Sequence, residues 1–295
     1  MIQFKPVRAE DKEELESYLK YTDSRSCDMP FATIYLWRSV YDTTYAICEG
    51  CLVFRTLYEG RVSFSFPVGK EDPGKAILAL IDHCRMSGIP CLMHSITKME
   101  EEWLNRRFPG QFAIDYHRSM ADYIYETQAL IDLRGKKYHG KKNHVNKFMK
   151  NFDWVYEEIG PDNIRECLDM LYSWLSNNPR KEDKDVIAEV HVSEMALKEK
   201  DFLGLKGGLI RADGQVVAFS LGEEICKDTF CIHIEKAYYH VSGAYAMINQ
   251  QFLIHEAGDY KYVNREDDVG DPGLRKSKLS YHPAFLLEKG LARYL

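Results

Sequence analysis

The sequence predicts an α+β protein made of two similar tandem domains, each a mixed, mainly antiparallel sheet flanked by helices. Three observations support this prediction. A chain of 295 residues is longer than one compact core usually accommodates. Its content of 45% hydrophobic and 13% aromatic residues is typical of a folded globular protein. Strand-like and helix-like patterns also follow one another in the same order twice along the chain.

The first copy of this repeated order of strands and helices occupies roughly the first 128 residues. A short strand at residues 2–7 precedes an acidic helix from about residue 9 and a second helix in PFATIYLWRSVY. Three strand-like runs follow, separated by Glu-Gly turns: TTYAIC, CLVFRTLY and RVSFSFPV. DPGKAILALIDHCRMSG predicts a helix because Pro stands in its first turn and Gly follows its end. Strand PCLMHSI, helix MEEEWLNRRF and strands QFAIDYH and ADYIYE complete the first copy.

The second copy repeats the order of strands and helices, although its amino-acid sequence is not visibly similar to that of the first. Strand WVYEEI precedes two helices, at residues 163–176 and 186–199. A meander of KGGLIRA, QVVAFSLGEE and TFCIHIEKAYY follows, with Asp213-Gly214 as a hairpin turn. Helix GAYAMINQQFLIHEAG and strand YKYVN end the second copy. The repetition predicts an internal duplication, with domains at 1–128 and 129–295 and the functional site in the second.

The N-terminal segment and the cysteines favour a cytoplasmic protein with reduced thiols. The first residues, MIQFKPVRAEDKEELE, are too charged for a secretory signal, and no apolar run reaches the length of a membrane span. The chain has eight cysteines. The CxxC at Cys48–Cys51 has no second CxxC or His pair to complete a zinc site, and its Glu-Gly centre suits a hairpin turn. We therefore expect a turn with two incidental thiols, with a redox or metal site at this CxxC as the alternative, and no metal in the functional site.

A basic segment stands out in a chain whose formal net charge is −6. Residues 133–151, LRGKKYHGKKNHVNKFMKN, hold seven Lys or Arg and two His and no acid. Read as a helix, the segment places Lys141 within an apolar stripe. The stripe consists of Tyr138, Val145, Phe148, Met149 and Phe152. One interpretation is a solvated face with a snorkelling Lys141, and the other is a site for a phosphate-bearing ligand, an RNA backbone or anionic lipid headgroups.

Two later stretches carry groups suited to transfer chemistry. IHIEKAYYHVSGAYAMIN brings Glu235 to a strand end and opens a helix near Gly243. The N-terminus of a helix offers free N–H groups that can bind phosphate. The same sequence is equally compatible with an ordinary capped helix that binds no ligand. Glu235 would be the leading general base if it faces a cleft. In NREDDVGDPGLRKSKLSYHP, acids at 266, 267, 268 and 271 precede several cations, as either a polar site wall or a surface loop with ion pairs.

The letters resemble a bacterial family similar to the C-terminal domain of phosphatidylglycerol lysyltransferase. The blocks that carry this resemblance are LRGKKYHGKKNHVNKF, GGLIRADGQVVAFSLGE, IHIEKAYYHVSGAYAMIN, VNREDDVGDPGLRKSKLSY and ARYL. The resemblance extends over essentially the whole chain and implies tandem GNAT-type acyltransferase domains, related to Fem-type aminoacyl transferases. It implies transfer of an activated acyl group from a coenzyme A thioester or aminoacyl-tRNA to an amine or hydroxyl.

The resemblance also has two departures. GNAT proteins usually carry Arg/Gln-x-x-Gly-x-Gly/Ala for the coenzyme A pyrophosphate. The matching positions here are His240, Gly243 and Tyr245, so only the glycine agrees and a tRNA-borne donor stays open. The membrane-embedded half of lysyltransferases is not in this sequence, so lipid aminoacylation is not implied. The alternative function is a non-catalytic nucleotide- or RNA-binding module on a duplicated GNAT scaffold.

The expected site combines three sets of residues. The candidate catalytic residues are Glu235, Glu266, Tyr245 and Tyr281. The candidate binding residues for the donor phosphates are Ser242, Gly243, Ala244 and Tyr245. By charge and resemblance, the remaining substrate- or phosphate-binding candidates are Lys141, Lys142, Asn143, Asn146, Asn264, Arg265, Arg275, Lys276 and Lys278. We expect the basic segment and the start of the late helix to line one hollow that receives phosphate.

Overall fold

The computed structural model describes all 295 residues, which divide into two compact units. The first unit comprises residues 1–122, 267–272 and 286–295, and the second comprises 123–266 and 273–285. The predicted boundary near residue 128 stays a prediction, because the chain returns twice to the first unit after entering the second. No helix combines the length and the hydropathy that crossing a membrane requires.

The first unit is built on one sheet and four helices. Its strands are β1 (Lys5–Pro6), β2 (Thr44–Cys48), β3 (Cys51–Tyr58), β4 (Arg61–Phe64), β5 (Val68–Gly69), β6 (Leu92–Ile96), β7 (Phe112–Tyr116) and β15 (Gly290–Tyr294). Its helices are α1 (Lys12–Leu19), α2 (Phe31–Trp37), α3 (Pro73–Ser87) and α4 (Lys98–Arg107). The strand order is β1-β2-β3-β4-β6-β15-β7, with β5 beside β3, and only β4 and β6 pair in parallel.

Local sequence signals account for several of these elements. The Asp72 side chain accepts a hydrogen bond from the Gly74 N–H at 3.2 Å and caps α3, which begins at Pro73 as predicted. Gly88 ends the helix with φ +66°. The Cys48–Cys51 hairpin is confirmed, because these two cysteines face each other across the turn between β2 and β3. The first predicted strand is shorter than expected and spans Lys5–Pro6.

A buried ion cluster lies beside β15 in the first unit. Lys289 is 1% exposed, and its Nζ lies 2.7 Å from Asp122 Oδ1 and 2.8 Å from Asp28 Oδ2. The Cys27 N–H donates to the second oxygen of Asp122 at 3.0 Å. Burial opposes the charge on Lys289, yet these carboxylates raise its pKa well above the ordinary value. Because each charge is paired, the cluster holds the residue before β15 against Asp122 and the segment before α2 that carries Asp28.

The second unit contains another sheet and most of the predicted site. Its strands are β8 (Asp122–Glu126), β9 (Trp154–Glu158), β10 (Lys206–Ala212), β11 (Gln215–Cys226), β12 (Thr229–Ala237), β13 (Tyr262–Asn264) and β14 (Phe285–Leu287). Its helices are α5 (Thr127–Asp132), α6 (His139–Asn151), α7 (Ile164–Ser176), α8 (Lys184–Lys198), α9 (Lys200–Leu203), α10 (Ala244–Glu256) and α11 (Pro272–Leu279). The strand order is β14-β8-β13-β12-β11-β10-β9. The predicted helices, the three-stranded meander and the short strand after α10 are therefore confirmed.

Strands β12 and β13 diverge soon after they begin to pair. They are parallel, and their register runs only from Thr229–Tyr262 to Cys231–Asn264, whereas β12 continues to Ala237. On its other side, β12 carries a bulge at His233, where the register with β11 shifts. Gly222 stands opposite this bulge, and a Cβ there would overlap the carbonyl oxygen of Cys231. We call this region at the carboxyl ends of the two parallel strands, where backbone pairing has stopped, the gap.

The Lys289 cluster predicts a large stability effect. We expect Lys289→Met to lower the free energy of unfolding by about 3–5 kcal/mol, because it leaves the buried Asp122 carboxylate and the half-buried Asp28 carboxylate without their cation. Denaturant unfolding followed by circular dichroism measures the change. The matched control is Lys70→Met, since Lys70 is exposed and a surface substitution usually changes stability by less than about 0.5 kcal/mol. Equal effects of the two substitutions would contradict this assignment.

Candidate functional site

Helix α6 divides the basic segment into an inner and an outer face. Tyr138, Val145 and Phe148 are buried, as the predicted stripe requires, while Met149 is 39% exposed. Lys141 lies on the inner side, with its Nζ 3.7 Å from the centroid of the Tyr281 ring. The exposed outer residues are Lys142, Asn143, Asn146, Lys147 and Lys150. Of the basic residues of α6, therefore, it is Lys141 that points into the second unit.

An ion pair spans the gap between β12 and the segment after β13. Glu235 accepts a hydrogen bond from Nη2 of Arg265 at 2.8 Å, and each side chain is only 11% exposed. The second oxygen of Glu235 accepts one from the Asn249 amide of α10 at 2.9 Å. The Arg265 guanidinium also lies 4.6 Å from the Tyr281 ring centroid and 5.8 Å from that of Tyr125. Two aromatic rings and one carboxylate therefore hold this cation in place.

One donor of this guanidinium has no partner. Nη1 of Arg265 is buried and makes no hydrogen bond. A buried donor without an acceptor costs free energy and is rare in folded proteins, so it calls for an explanation. A ligand oxygen in the gap would satisfy it. An acceptor such as a carbonyl, carboxylate or phosphate oxygen is therefore the group that Nη1 of Arg265 lacks.

Two lysines differ in their relation to this ion pair. Lys278 is buried and donates from Nζ to the carbonyl oxygen of Arg265 at 2.6 Å, so it supports the backbone behind the guanidinium. Lys141 faces the site itself. Burial lowers its pKa to about 8, with Arg265 acting in the same direction and Glu235 opposing both. The Lys141 amine therefore changes between its protonated and neutral forms near physiological pH, and this property suits a general acid or base.

The start of α10 is packed against α6. Gly243 adopts φ +91°, and a Cβ at this position would lie 2.5 Å from the His144 carbonyl oxygen. Ser242 is exposed and Ala244 is buried. The Ala244 N–H donates to the Val241 carbonyl at 3.1 Å, so at least one amide of this helix start is already paired. The predicted phosphate position here stays a prediction, although the basic helix and the Gly243 turn do come together.

The other candidate residues lie in different surroundings. Tyr245 packs near Tyr239, whose ring centroid lies 5.8 Å away, and Tyr239 packs on Trp174. Glu266 contacts His233 at 2.9 Å and has φ +57°, and its N–H donates to Asn264. Arg275 is half-buried and Lys276 is exposed. Of the predicted set, Lys141, Glu235, Arg265 and Tyr281 are therefore the side chains that meet, with Lys278 behind them.

Sequence reasoning missed two members of this group, Asn249 and Tyr125. Asn249 is buried in helix α10, where most of the buried residues are apolar, and a buried polar residue in such surroundings is a recognisable sign of an internal hydrogen bond. Tyr125 lies on β8, and its hydroxyl donates to the Lys278 carbonyl at 2.8 Å. Tyr281 is almost fully buried, and burial raises its pKa to about 12, so its hydroxyl stays protonated at neutral pH.

Comparison with known proteins identifies the family. The model of the family described as "Phosphatidylglycerol lysyltransferase, C-terminal" matches residues 19–293. An uncharacterized protein of Mycoplasmoides gallisepticum is 24% identical over 210 residues. That match covers 68% of this chain but only 64% of the relative's length.

Solved structures share the fold over most or all of the chain. A conserved protein of unknown function from Bacteroides thetaiotaomicron is 35% identical, with a TM-score of 0.94 and full coverage of both chains. L-PGS from Bacillus licheniformis is 14% identical, with a TM-score of 0.67 over 100% of this chain and 94% of that one. A tandem GNAT protein from the clavulanic acid pathway is 10% identical, with a TM-score of 0.50 over 99% and 98%. The predicted α+β fold with GNAT-like domains is thus confirmed.

The environment of Lys141 predicts an unusual reactivity. We expect the rate at which an amine-specific reagent acylates Lys141 to rise with pH, with a midpoint near pH 8. Peptide mass spectrometry after a short treatment with limiting reagent measures this rate at each pH. Because the charge of Glu235 raises the pKa of Lys141, Glu235→Gln should move this midpoint to lower pH. Lys142, its exposed neighbour, reports a solvated amine in the same experiment. The same pH profile for both lysines would contradict the buried site.

Proposed function

This chain belongs to the phosphatidylglycerol lysyltransferase C-terminal family, and on that premise we propose that it transfers an activated acyl or aminoacyl group. The acceptor would be an amine or a hydroxyl. The observation that carries the proposal is the buried Glu235–Arg265 pair, which leaves one guanidinium nitrogen without a partner and shares the Tyr281 ring with Lys141. A carboxylate, an anion-binding donor and a cation that titrates near pH 8 supply what acyl transfer needs in one place.

The proposed reaction assigns one role to each of three side chains. Glu235 takes a proton from the acceptor amine or hydroxyl, which then attacks the donor carbonyl carbon. The carbonyl oxygen becomes an oxyanion and accepts hydrogen bonds from the free nitrogen of Arg265. As the tetrahedral intermediate collapses, the bond to the donor oxygen or sulfur breaks and Lys141 returns a proton to that leaving group. Tyr281 positions Lys141 and Arg265 relative to each other, because both cations lie against its ring.

We favour aminoacyl-tRNA as the donor over a coenzyme A thioester. Lys142, Lys147 and Lys150 are exposed on the outer face of the same helix that carries Lys141 inward, and no acid dilutes them. Such a face suits an RNA backbone, because phosphates attract clustered cations in a salt-dependent manner. The turn at Gly243 is packed against the His144 carbonyl, which leaves less room for a pyrophosphate there. A tRNA donor also agrees with a reaction in the cytoplasm.

The family description names transfer of lysine to phosphatidylglycerol. For this chain we propose the transfer reaction alone and leave the acceptor at the level of an amine or hydroxyl. The second unit would hold the site. The two sheets share one order of elements: a first strand, two helices, a three-stranded meander, a helix and a parallel strand. This correspondence supports the proposal that the chain arose by duplication.

The alternative is a nucleotide- or RNA-binding module without catalysis, and the exposed lysines of α6 support it equally well. The two proposals differ in what happens to the donor. A transferase consumes labelled aminoacyl-tRNA or acyl-CoA when an acceptor is present, whereas a binding module leaves the ester or thioester intact. The ion pair with its free donor atom favours the transferase, since a surface that only binds phosphate does not require a buried carboxylate.

Replacement of the proposed base tests the mechanism. We expect Glu235→Gln to reduce turnover at least about 100-fold, because general base catalysis typically contributes 10²–10⁴-fold. Donor binding, measured by thermal shift, should change little. The assay follows loss of the ester from labelled aminoacyl-tRNA and of the thioester from acyl-CoA, over a panel of amine and hydroxyl acceptors.

The control for this experiment is Glu224→Gln, an exposed carboxylate on β11 that accepts a hydrogen bond from Tyr260. It should keep wild-type turnover. Turnover that survives Glu235→Gln would remove Glu235 from the mechanism. Binding of tRNA with no donor consumed by the wild-type chain, under any acceptor, would favour the binding module.

The outer face of α6 can be tested separately from the chemistry. Replacing Lys142, Lys147 and Lys150 by alanine should weaken tRNA binding and reduce the slope of log affinity against log salt by about 2, at roughly 0.7–0.9 per phosphate contact. The matched control replaces three other exposed lysines of the second unit, Lys181, Lys184 and Lys227. Fluorescence anisotropy over a salt series measures both. Equal slopes for the two triple variants would argue against this docking face.

A further inference from the structure

We propose that Cys231, His233 and Glu266 form a zinc-binding site in the second unit. Cys231 and His233 lie on β12, and Glu266 follows β13. One ligand atom from each residue lies within 4.8 Å of the others. The transfer mechanism proposed above uses none of these side chains, so the inference does not rest on it. Zinc is the metal that best fits a mixed set of thiolate, imidazole and carboxylate.

The distances between the ligand atoms suit a tetrahedral ion. Cys231 Sγ and His233 Nδ1 are 3.6 Å apart. Zinc bonds of about 2.3 Å to sulfur and about 2.0 Å to nitrogen separate two tetrahedral ligands by roughly 3.5 Å. Glu266 Oε1 lies 2.9 Å from the same Nδ1, which is a hydrogen-bond distance, so the carboxylate has to move outward by only about 0.4 Å.

The second nitrogen of the imidazole already has a partner suited to a metal ligand. His233 Nε2 lies 3.0 Å from Glu223 Oε1. A carboxylate that accepts the proton of one ring nitrogen orients the ring and directs the lone pair of the other nitrogen to the metal. Here that other nitrogen, Nδ1, faces both Cys231 and Glu266. Three ligands and one orienting carboxylate are thus in place around a single point.

The surroundings leave room for a fourth ligand. Cys231 and the imidazole of His233 are buried, whereas the Glu266 side chain is 29% exposed. A water molecule could therefore complete the coordination on the Glu266 side. The burial of Cys231 also argues against its use as a nucleophile, because a substrate carbonyl would have no access to the sulfur.

A metal here would connect two strands just where their backbone pairing stops. The last paired residues of β12 and β13 are Cys231 and Asn264. Arg265 stands between Asn264 and Glu266 in the chain, and its guanidinium is the partner of Glu235. Fixing Glu266 to β12 would therefore fix the backbone that positions Arg265. We therefore assign the ion a structural role, in which it holds the segment after β13 against β12 at the edge of the gap.

Cobalt provides the decisive probe, because a thiolate ligand gives Co²⁺ a charge-transfer absorption that oxygen and nitrogen ligands do not. The full chain is freed of metal with a chelator and titrated with Co²⁺ and then with Zn²⁺. We expect one equivalent of Co²⁺ to produce the thiolate band, Zn²⁺ to displace it, and Zn²⁺ to raise the melting temperature. Glu223→Gln should bind zinc about 10–100-fold more weakly.

Two serine variants separate this site from adventitious thiol binding. Cys231→Ser should abolish the cobalt band, and Cys226→Ser, which changes a more accessible cysteine outside the cluster, should retain it. If Cys231→Ser does not fold, the wild-type titration and Glu223→Gln decide. The proposal is overturned if the wild-type chain shows no band and no thermal shift, which would make the cluster a histidine–carboxylate network. It is also overturned if the band follows Cys226 or if Glu223→Gln binds zinc with wild-type affinity.

Discussion

The Glu235–Arg265 ion pair is the interaction on which the proposed site in the second unit depends. It spans the gap that opens when β12 and β13 stop pairing, and it replaces the missing backbone hydrogen bonds with a charge-assisted contact. Burying two charges costs several kcal/mol unless their hydrogen bonds are completed. Glu235 is completed by Asn249, but Arg265 keeps one nitrogen unpaired. This unpaired donor is the feature on which the proposed transfer reaction rests.

Much of the architecture follows from patterns that act over short distances. The cap at Asp72, the hairpin at Cys48–Cys51 and the amphipathic stripe of α6 are all local, because turn geometry and helical periodicity depend on neighbours in the chain. The exchange of segments between the units does not follow from such patterns. Strand β15 belongs to the first unit although it comes last in the chain, and no periodicity indicates which of two sheets a strand will join.

The candidate site was only partly predictable for the same reason. Lys141 could be singled out because a lysine inside an apolar stripe breaks the amphipathic pattern, and its burial agrees with that reading. Its companions come from β12, from the segment after β13 and from the segment after α11, so no spacing rule brings them together. The family resemblance pointed to many of these residues but did not indicate which of them lie together in the site. Distances rank them, since Lys142 and Lys276 turn to solvent while Arg265 and Tyr281 turn inward.

The position of β15 has a consequence for how the chain is made. The strand lies between β6 and β7, and Lys289 just before it pairs with Asp28 and Asp122 of the first unit. During synthesis, β6 and β7 therefore expose unpaired edges until residues 290–294 have left the ribosome. The first unit therefore cannot complete its sheet before residues 290–294 are available. Chains that lack these residues would retain two unpaired strand edges, and such edges promote aggregation and attract chaperones and proteases.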